Sequence, residues 1–181
     1  MGMNRRQLLS GGAALSGAMM FGIPSVLGQA KPRVVVIGGG AGGATAAKYI
    51  AKDSAGAIAV TLIEPNEKYQ TCFHSNLYLG GYRDYPSIVH DYATLAKNHG
   101  IDVKRDHATA IDRDKKEVVL ASGARLPYDR VVVSPGIDLK YDSVPGWSQA
   151  AEEKMPHAWK PGAQTLLLRK RLEEVPNGGV I

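Results

Sequence analysis

Hydrophobic and polar positions from residue 34 onward alternate between short apolar runs and helical spacing. Val34-Val35-Val36-Ile37 is a run of four β-branched residues, which predicts a strand buried on both faces, as in a parallel sheet. A glycine-rich stretch, Gly38 to Gly43, leads into Ala44–Ala51, a run of good helix formers. Ala57–Ile63 predicts a second strand that closes on Glu64. Residues Pro65 to Pro86 read as a long polar and aromatic loop, and Ser87–His99 as a helix with Ile88, Tyr92, Leu95 and Ala96 near one face. Short strands follow at Ile101–Arg105, Ala108–Ile111 and Glu117–Leu120, the last two joined by the charged turn Asp112–Lys116. Tyr128–Val133 predicts another buried strand, ending in Ser134-Pro135-Gly136. A last helix is expected over Ala163–Val175, offering apolar residues on more than one face, before a turn at Pro176–Gly179. The pattern is that of an α/β fold with an inserted β-meander.

The chain has 181 residues, 44% of them hydrophobic and 22% charged, which excludes disorder, collagen and coiled coil as whole-chain descriptions. Its single cysteine excludes an internal disulfide framework and a multi-cysteine zinc site. No histidines stand at metal-ligand spacing, so no metal site is expected. The first thirty residues form a separate segment. Arg5-Arg6 precede a soft apolar stretch in which Gly or Ser fills eight positions from Ser10 to Gly28, and the stretch closes on Leu27-Gly28-Gln29-Ala30. This is an export leader with cleavage expected after Ala30, and the arginine pair favours the twin-arginine route, hence a periplasmic protein. An uncleaved membrane anchor would have length enough to span, but the glycines, serines and Pro24 argue against it, and no stable membrane insertion is expected after cleavage. Because Arg5 and Arg6 leave with the leader, the net charge of +5 falls by two, and the remaining cations are scattered. A nucleic-acid partner is therefore not expected.

Gly38, Gly40 and Gly43 keep the G-x-G-x-x-G spacing between a strand and a helix. Gly38 permits the tight turn, Gly40 lets the backbone approach a pyrophosphate, and Gly43 lets helix and strand pack closely; Ala47 keeps that face small. Glu64 falls 21 residues past Gly43 at the end of the next strand, where a carboxylate accepts hydrogen bonds from an adenosine ribose and would repel a 2′-phosphate. Motif and context together predict dinucleotide binding.

A β-meander followed by a return strand and a small-residue turn resembles the FAD domain of the two-dinucleotide-domain flavoprotein disulfide reductases, with Ser134 and Gly136 in the turn near the flavin. The segments Tyr69–Asn76 with Gly80-Gly81, Ser134–Asp138 and Glu153–Lys160 resemble, more narrowly, the flavoprotein subunit of flavocytochrome c sulfide dehydrogenase, and the similarity extends over residues 31–181. The resemblance implies a Rossmann-like FAD-binding domain over 31–162. Gly38, Gly40, Gly43 and Glu64 would hold the ADP moiety, Ala108 would offer backbone contacts to adenine, and Ser134 to Gly136 would form part of the isoalloxazine wall. It also implies FAD carried on Cys72 by a thioether to the flavin 8α-methyl group, although on spacing alone Cys72 reads first as a buried free thiol. Sulfide is the implied substrate, attacking a redox-active disulfide near the flavin, and a c-type cytochrome subunit the implied partner and electron acceptor. Both disulfide cysteines would lie beyond Ile181 or be absent, so no catalytic residue is expected within these residues. Val180-Ile181 read as the start of a strand, so residues 163–181 are expected to open a second, truncated dinucleotide-type domain, and the whole to be an N-terminal piece without activity of its own.

Other residues carry plainer readings. His74 stands close enough to Cys72 to lower its thiol pKa, but reads first as a surface-loop histidine; Arg169-Lys170-Arg171 reads as the solvated side of a helix. Trp147 and Trp159 lie in a segment, Val144–Gly162, that would cover the flavin, contact a partner or simply link elements. Two rival functions stand beside the cytochrome-linked enzyme: a sulfide:quinone oxidoreductase of the same fold, and a non-catalytic flavin-binding remnant.

Overall fold

The computed structural model describes residues 30–180; the expected leader, apart from Ala30, and Ile181 lie outside the described residues. Strand β1 (Arg33–Ile37) lies between β2 (Ala59–Ile63) and β9 (Arg130–Val133), and β5 (Asp102–Lys104) flanks β2, so the order is β5-β2-β1-β9 with every pairing parallel. The unbroken apolar run of β1 is explained by its two covered faces. Val34 and Val36 join Val60, Leu62, Ala47, Ala51, Tyr92 and Ile101 on one side; Val35 joins Ile63, Val118, Leu120 and Tyr128 on the other. The first cluster is closed by helix α1 (Ala41–Asp53), whose buried residues Gly43, Ala47 and Ala51 recur every four positions along one stripe. The second is closed by an antiparallel meander of β6 (Ala108–Asp112), β7 (Glu117–Leu120) and β8 (Arg125–Pro127). Asp129 accepts bonds from the Arg33 backbone N–H at 2.6 Å and from its guanidinium, tying the entry of β9 to that of β1.

The segment expected to be a loop is structured. Strand β3 (Lys68–Gln70) pairs with β4 (Val89–Asp91), and between them lie helix α2 (Ser75–Leu79) and a 3₁₀ turn at Tyr85–Ile88. The helix expected over 87–99 is correspondingly shorter, α3 (Ala93–His99). The Asp91 carboxylate accepts from the Ala93 N–H at 2.9 Å and sets where that helix starts, while Val89 and His90 are held in the ribbon. Strand β8 was also not expected; three residues ending in a proline carry no alternation to read.

Beyond β9 come the short helix α4 (Gln149–Glu152) and α5 (Ala163–Glu174). α5 packs against α2 within the compact unit that starts at Lys31. Arg169, expected in solvent, instead sends its guanidinium to the Leu79 carbonyl and to Glu173, 2.7 Å away. Lys170 and Arg171 do stand in solvent, each within 4 Å of Glu174.

Candidate functional site

A cleft of about 620 Å³ opens where β1, β2 and β9 deliver their carboxyl ends. In an open parallel sheet this is where ligands settle, because strand order reverses there and leaves a crevice between loops. Of the residues singled out from sequence, Gly40, Glu64, Cys72, Ser134 and Gly136 line it. Gly38 and Gly43 lie just behind, and Ala108 does not reach it: it is in β6, paired with Leu120 and packed toward the meander's core.

Each glycine of the turn has its own requirement. Gly38 has φ of +95°, and a β-carbon there would stand 2.0 Å from the Ser134 carbonyl oxygen. On Gly43 it would stand 1.8 Å from the Gly38 carbonyl oxygen, so strand, turn and helix are in backbone contact. Gly39, to which the motif assigns nothing, is required by Tyr92, whose hydroxyl would be 2.6 Å from the added carbon. Gly40 differs: its added carbon would meet nothing nearer than a Tyr69 ring carbon at 3.8 Å, leaving it open on the cleft side. Gly40 also caps α1, whose first N–H groups and positive dipole end face this opening, a favourable place for an anion.

Glu64 is only 8% exposed. One carboxylate oxygen accepts from the Gly39 N–H at 2.8 Å, the other from the backbone and side-chain nitrogens of Asn66, each at 2.8 Å. Three of its roughly four lone-pair sites are thereby used and one remains for an outside hydroxyl. Arg105 donates to the Asn66 carbonyl and lies 5.0 Å from the Tyr92 ring centroid. Tyr92 donates to the Gly39 carbonyl at 2.8 Å. Burial, and then the Glu64 charge, push the Tyr92 phenol well above its ordinary pKa, so it stays a donor across the working pH range. Removing that hydroxyl leaves a buried carbonyl unpaired. Tyr92→Phe is expected to cost about 1–3 kcal/mol, read as a lower urea midpoint at unchanged m-value. Tyr92, Asn66 and Arg105 escaped the sequence reading as site residues. Their only signal was position, just after a strand end or on a helix face, and it carries no chemistry until the chain is folded.

Cys72 is exposed and lies on the same cleft. Its carbonyl accepts from the Ser75 hydroxyl at 2.9 Å and the Ser75 N–H at 3.2 Å, and Thr71 Oγ1 accepts from the Phe73 N–H at 3.0 Å. The thiol is thus presented by a hydrogen-bonded turn and is not the buried free thiol that spacing alone would allow. His74, at the left-handed residue of this turn (φ +66°), is exposed, as a surface histidine. Across the cleft, the Ser134 N–H donates to the Ile37 carbonyl at 2.8 Å, and Gly136 turns the chain with φ of +79°. Trp159 also lines the cleft, whereas Trp147 packs between Tyr141 and His157.

These residues fit FAD. A cradle that a β-carbon at Gly40 would begin to fill faces a helix N-terminus, a buried acid retains one acceptor site, and a thiol stands on the same opening.

Over 114 residues the chain is 28% identical to the mitochondrial sulfide:quinone oxidoreductase of Dictyostelium discoideum, covering 63% of this chain and 25% of that protein. Over 44 residues it is 54% identical to the flavoprotein chain of sulfide dehydrogenase (flavocytochrome c) of Chlorobaculum thiosulfatiphilum, covering 24% of this chain and 90% of that sequence. Among solved structures, the sulfide:quinone oxidoreductase of Aquifex aeolicus superposes with a TM-score of 0.64 at 26% identity, over 79% of this chain and 32% of that one. The chain therefore spans about a quarter to a third of the longer relatives it matches. The family model for pyridine nucleotide-disulphide oxidoreductase matches residues 32–166, which take in the glycine turn, Glu64, Cys72 and the Ser134 turn, and the chain belongs to that family.

Proposed function

We propose that this chain is the N-terminal FAD-binding part of a sulfide-oxidising flavoprotein, that Cys72 carries the flavin covalently, and that its electrons pass to a c-type cytochrome. FAD binding itself follows from family membership. The observation that carries the rest is the placement of the sole cysteine on the cleft that also holds the glycine turn and Glu64. Relatedness to a flavocytochrome c flavoprotein chain supports both the substrate and the acceptor.

The division of labour follows from the residues. The N–H groups at the start of α1 and the open backbone at Gly40 receive the pyrophosphate. Glu64 accepts from a ribose hydroxyl while Gly39 and Asn66 hold its carboxylate in place. Cys72 would hold the flavin through a thioether at its methyl group, and the Ser134–Gly136 turn would wall the ring. Bound FAD would take the electron pair released as sulfide becomes zero-valent sulfur and pass those electrons on singly. One cysteine cannot supply both halves of a disulfide, so this reading takes the pair that sulfide attacks from outside these residues.

Purified protein precipitated with acid is expected to give a yellow pellet and an intact mass raised by one FAD. Cys72→Ser is expected to release all the colour into the supernatant while still binding FAD reversibly. An unmodified thiol in colourless protein that takes up no FAD on reconstitution would sink this reading. Sulfide:quinone oxidoreductase is the second reading, supported by the longer match to the Dictyostelium enzyme. Sulfide-dependent reduction of cytochrome c against decylubiquinone, with the complete coding sequence, separates the two. Export by the twin-arginine route belongs to the first reading, and N-terminal sequencing of periplasmic protein should then begin at Lys31.

A further inference from the structure

Among the described residues, one large aromatic side chain at the cleft has no packing of its own. Trp159 is 81% exposed, although it lines the cleft together with Pro161 and with Ile137, which is 94% exposed. A tryptophan left in water costs free energy that burial would recover, and here the surrounding backbone is fastened rather than loose. One residue on, Lys160 holds Asp138 at 2.6 Å, joining the segment to the turn that follows β9. Two residues before, His157 is bonded to Glu152 at 2.8 Å, with side chains only 11% and 6% exposed. Glu152 also accepts from the Tyr141 hydroxyl at 2.8 Å. The Trp159 N–H donates to His157 Nδ1 at 3.2 Å, so Nδ1 is an acceptor and the ring hydrogen sits on Nε2, toward Glu152. The buried His157–Glu152 pair therefore fixes the chain two residues before Trp159, the exposed Lys160–Asp138 pair adds a weaker tie one residue after it, and the indole itself stays exposed.

We propose that Trp159 is a binding residue, an aromatic plate against which the planar heteroaromatic ring of the cleft's ligand rests, with His157–Glu152 and Lys160–Asp138 as its positioning pairs. The inference rests on the FAD reading, in which that ring is isoalloxazine. A ring stacked on a pre-fastened indole gains contact without the entropy cost of ordering the segment.

The test uses Cys72→Ser protein, so that binding is reversible, and compares FAD with ADP by calorimetric titration. ADP carries the adenosine and pyrophosphate but no ring to reach Trp159. Trp159→Ala in that background is expected to weaken FAD roughly three- to tenfold, the range of an aromatic contact. ADP affinity and melting temperature should stay unchanged, and Trp159→Phe should restore most of the FAD affinity. The visible circular dichroism of bound flavin should change in the alanine variant and return in the phenylalanine one. If FAD binds Trp159→Ala as tightly as its parent with the same dichroism, the plate is overturned and the FAD reading stands. If ADP and FAD weaken equally, Trp159 acts only through the fold and the plate is again overturned. Should the Cys72→Ser parent bind neither ligand, the FAD reading fails and takes this inference with it.

Discussion

Replacing Gly43 with valine should lower the melting temperature of the ligand-free protein by about 6–12 °C, while Gly40→Ala should leave it nearly unchanged. The two positions lie three residues apart in one motif, and the difference is geometric. A β-carbon at Gly43 falls 1.8 Å from the Gly38 carbonyl oxygen, and both partners are backbone, so α1 must move off β1. That movement opens the cluster of Val34, Val36, Ala47 and Ala51. Overpacking a close-packed site costs about 1–3 kcal/mol even when side chains can yield. Here none can, and roughly 3 kcal/mol or more is expected, at 2–4 °C for each kcal/mol in a domain of this size. At Gly40 the added methyl has 3.8 Å of clearance from the nearest protein atom, and the backbone φ of −66° suits alanine. Its cost appears only with ligand, where the methyl occupies the approach a pyrophosphate needs; FAD affinity should fall about tenfold or more. Calorimetric melting with and without FAD measures both halves, and equal loss of stability at the two positions would remove the distinction.

Glu64→Gln should abolish most nucleotide affinity although it changes no volume. In the native protein both carboxylate oxygens accept, one from Gly39 and one from Asn66. A glutamine offers a single oxygen, so its NH₂ must face either the Gly39 N–H or the Asn66 donors, and one buried N–H loses its acceptor. The remaining acceptor site for a ribose hydroxyl weakens as well, because hydrogen bonds to a charged group are worth about 1.5–3 kcal/mol. Together these predict a loss of roughly 10²-fold in FAD affinity, measured on the Cys72→Ser background where binding is at equilibrium. ADP should weaken by the same factor, since Glu64 acts at the adenosine end; a loss confined to FAD would place the acid elsewhere.

Much of the fold and part of the site were legible in the chain because they are set by neighbours in sequence. β1 is readable from four β-branched residues, and its flanking parallel strands, expected over Ala57–Ile63 and Tyr128–Val133, form at Ala59–Ile63 and Arg130–Val133. Gly38, Gly40 and Gly43 stand within six residues, so spacing alone states the turn, the opening and the close contact. Glu64 is legible because a strand's end puts a known residue at a known place. The β3–β4 ribbon was not, since Lys68 pairs with Asp91 across more than twenty residues and each strand is only three residues long, too short to show a pattern. Strand propensity is too dependent on partners to call such segments alone.

Local order along the polypeptide accounts for the parallel sheet, its meander, the phosphate-facing turn and the acid that ends β2, because each rests on apolar spacing or on backbone freedom at single residues. Folding in three dimensions decides which of the remaining side chains meet that turn. It brings Tyr92, the residue before α3, to the Gly39 carbonyl, Arg105 to Asn66, and Cys72 and Trp159 to the cleft, and it takes Ala108 away into the meander. These encounters join residues dozens of positions apart. They depend on where loops close and helices pack, and nothing in the short-range pattern of apolar and polar residues encodes them.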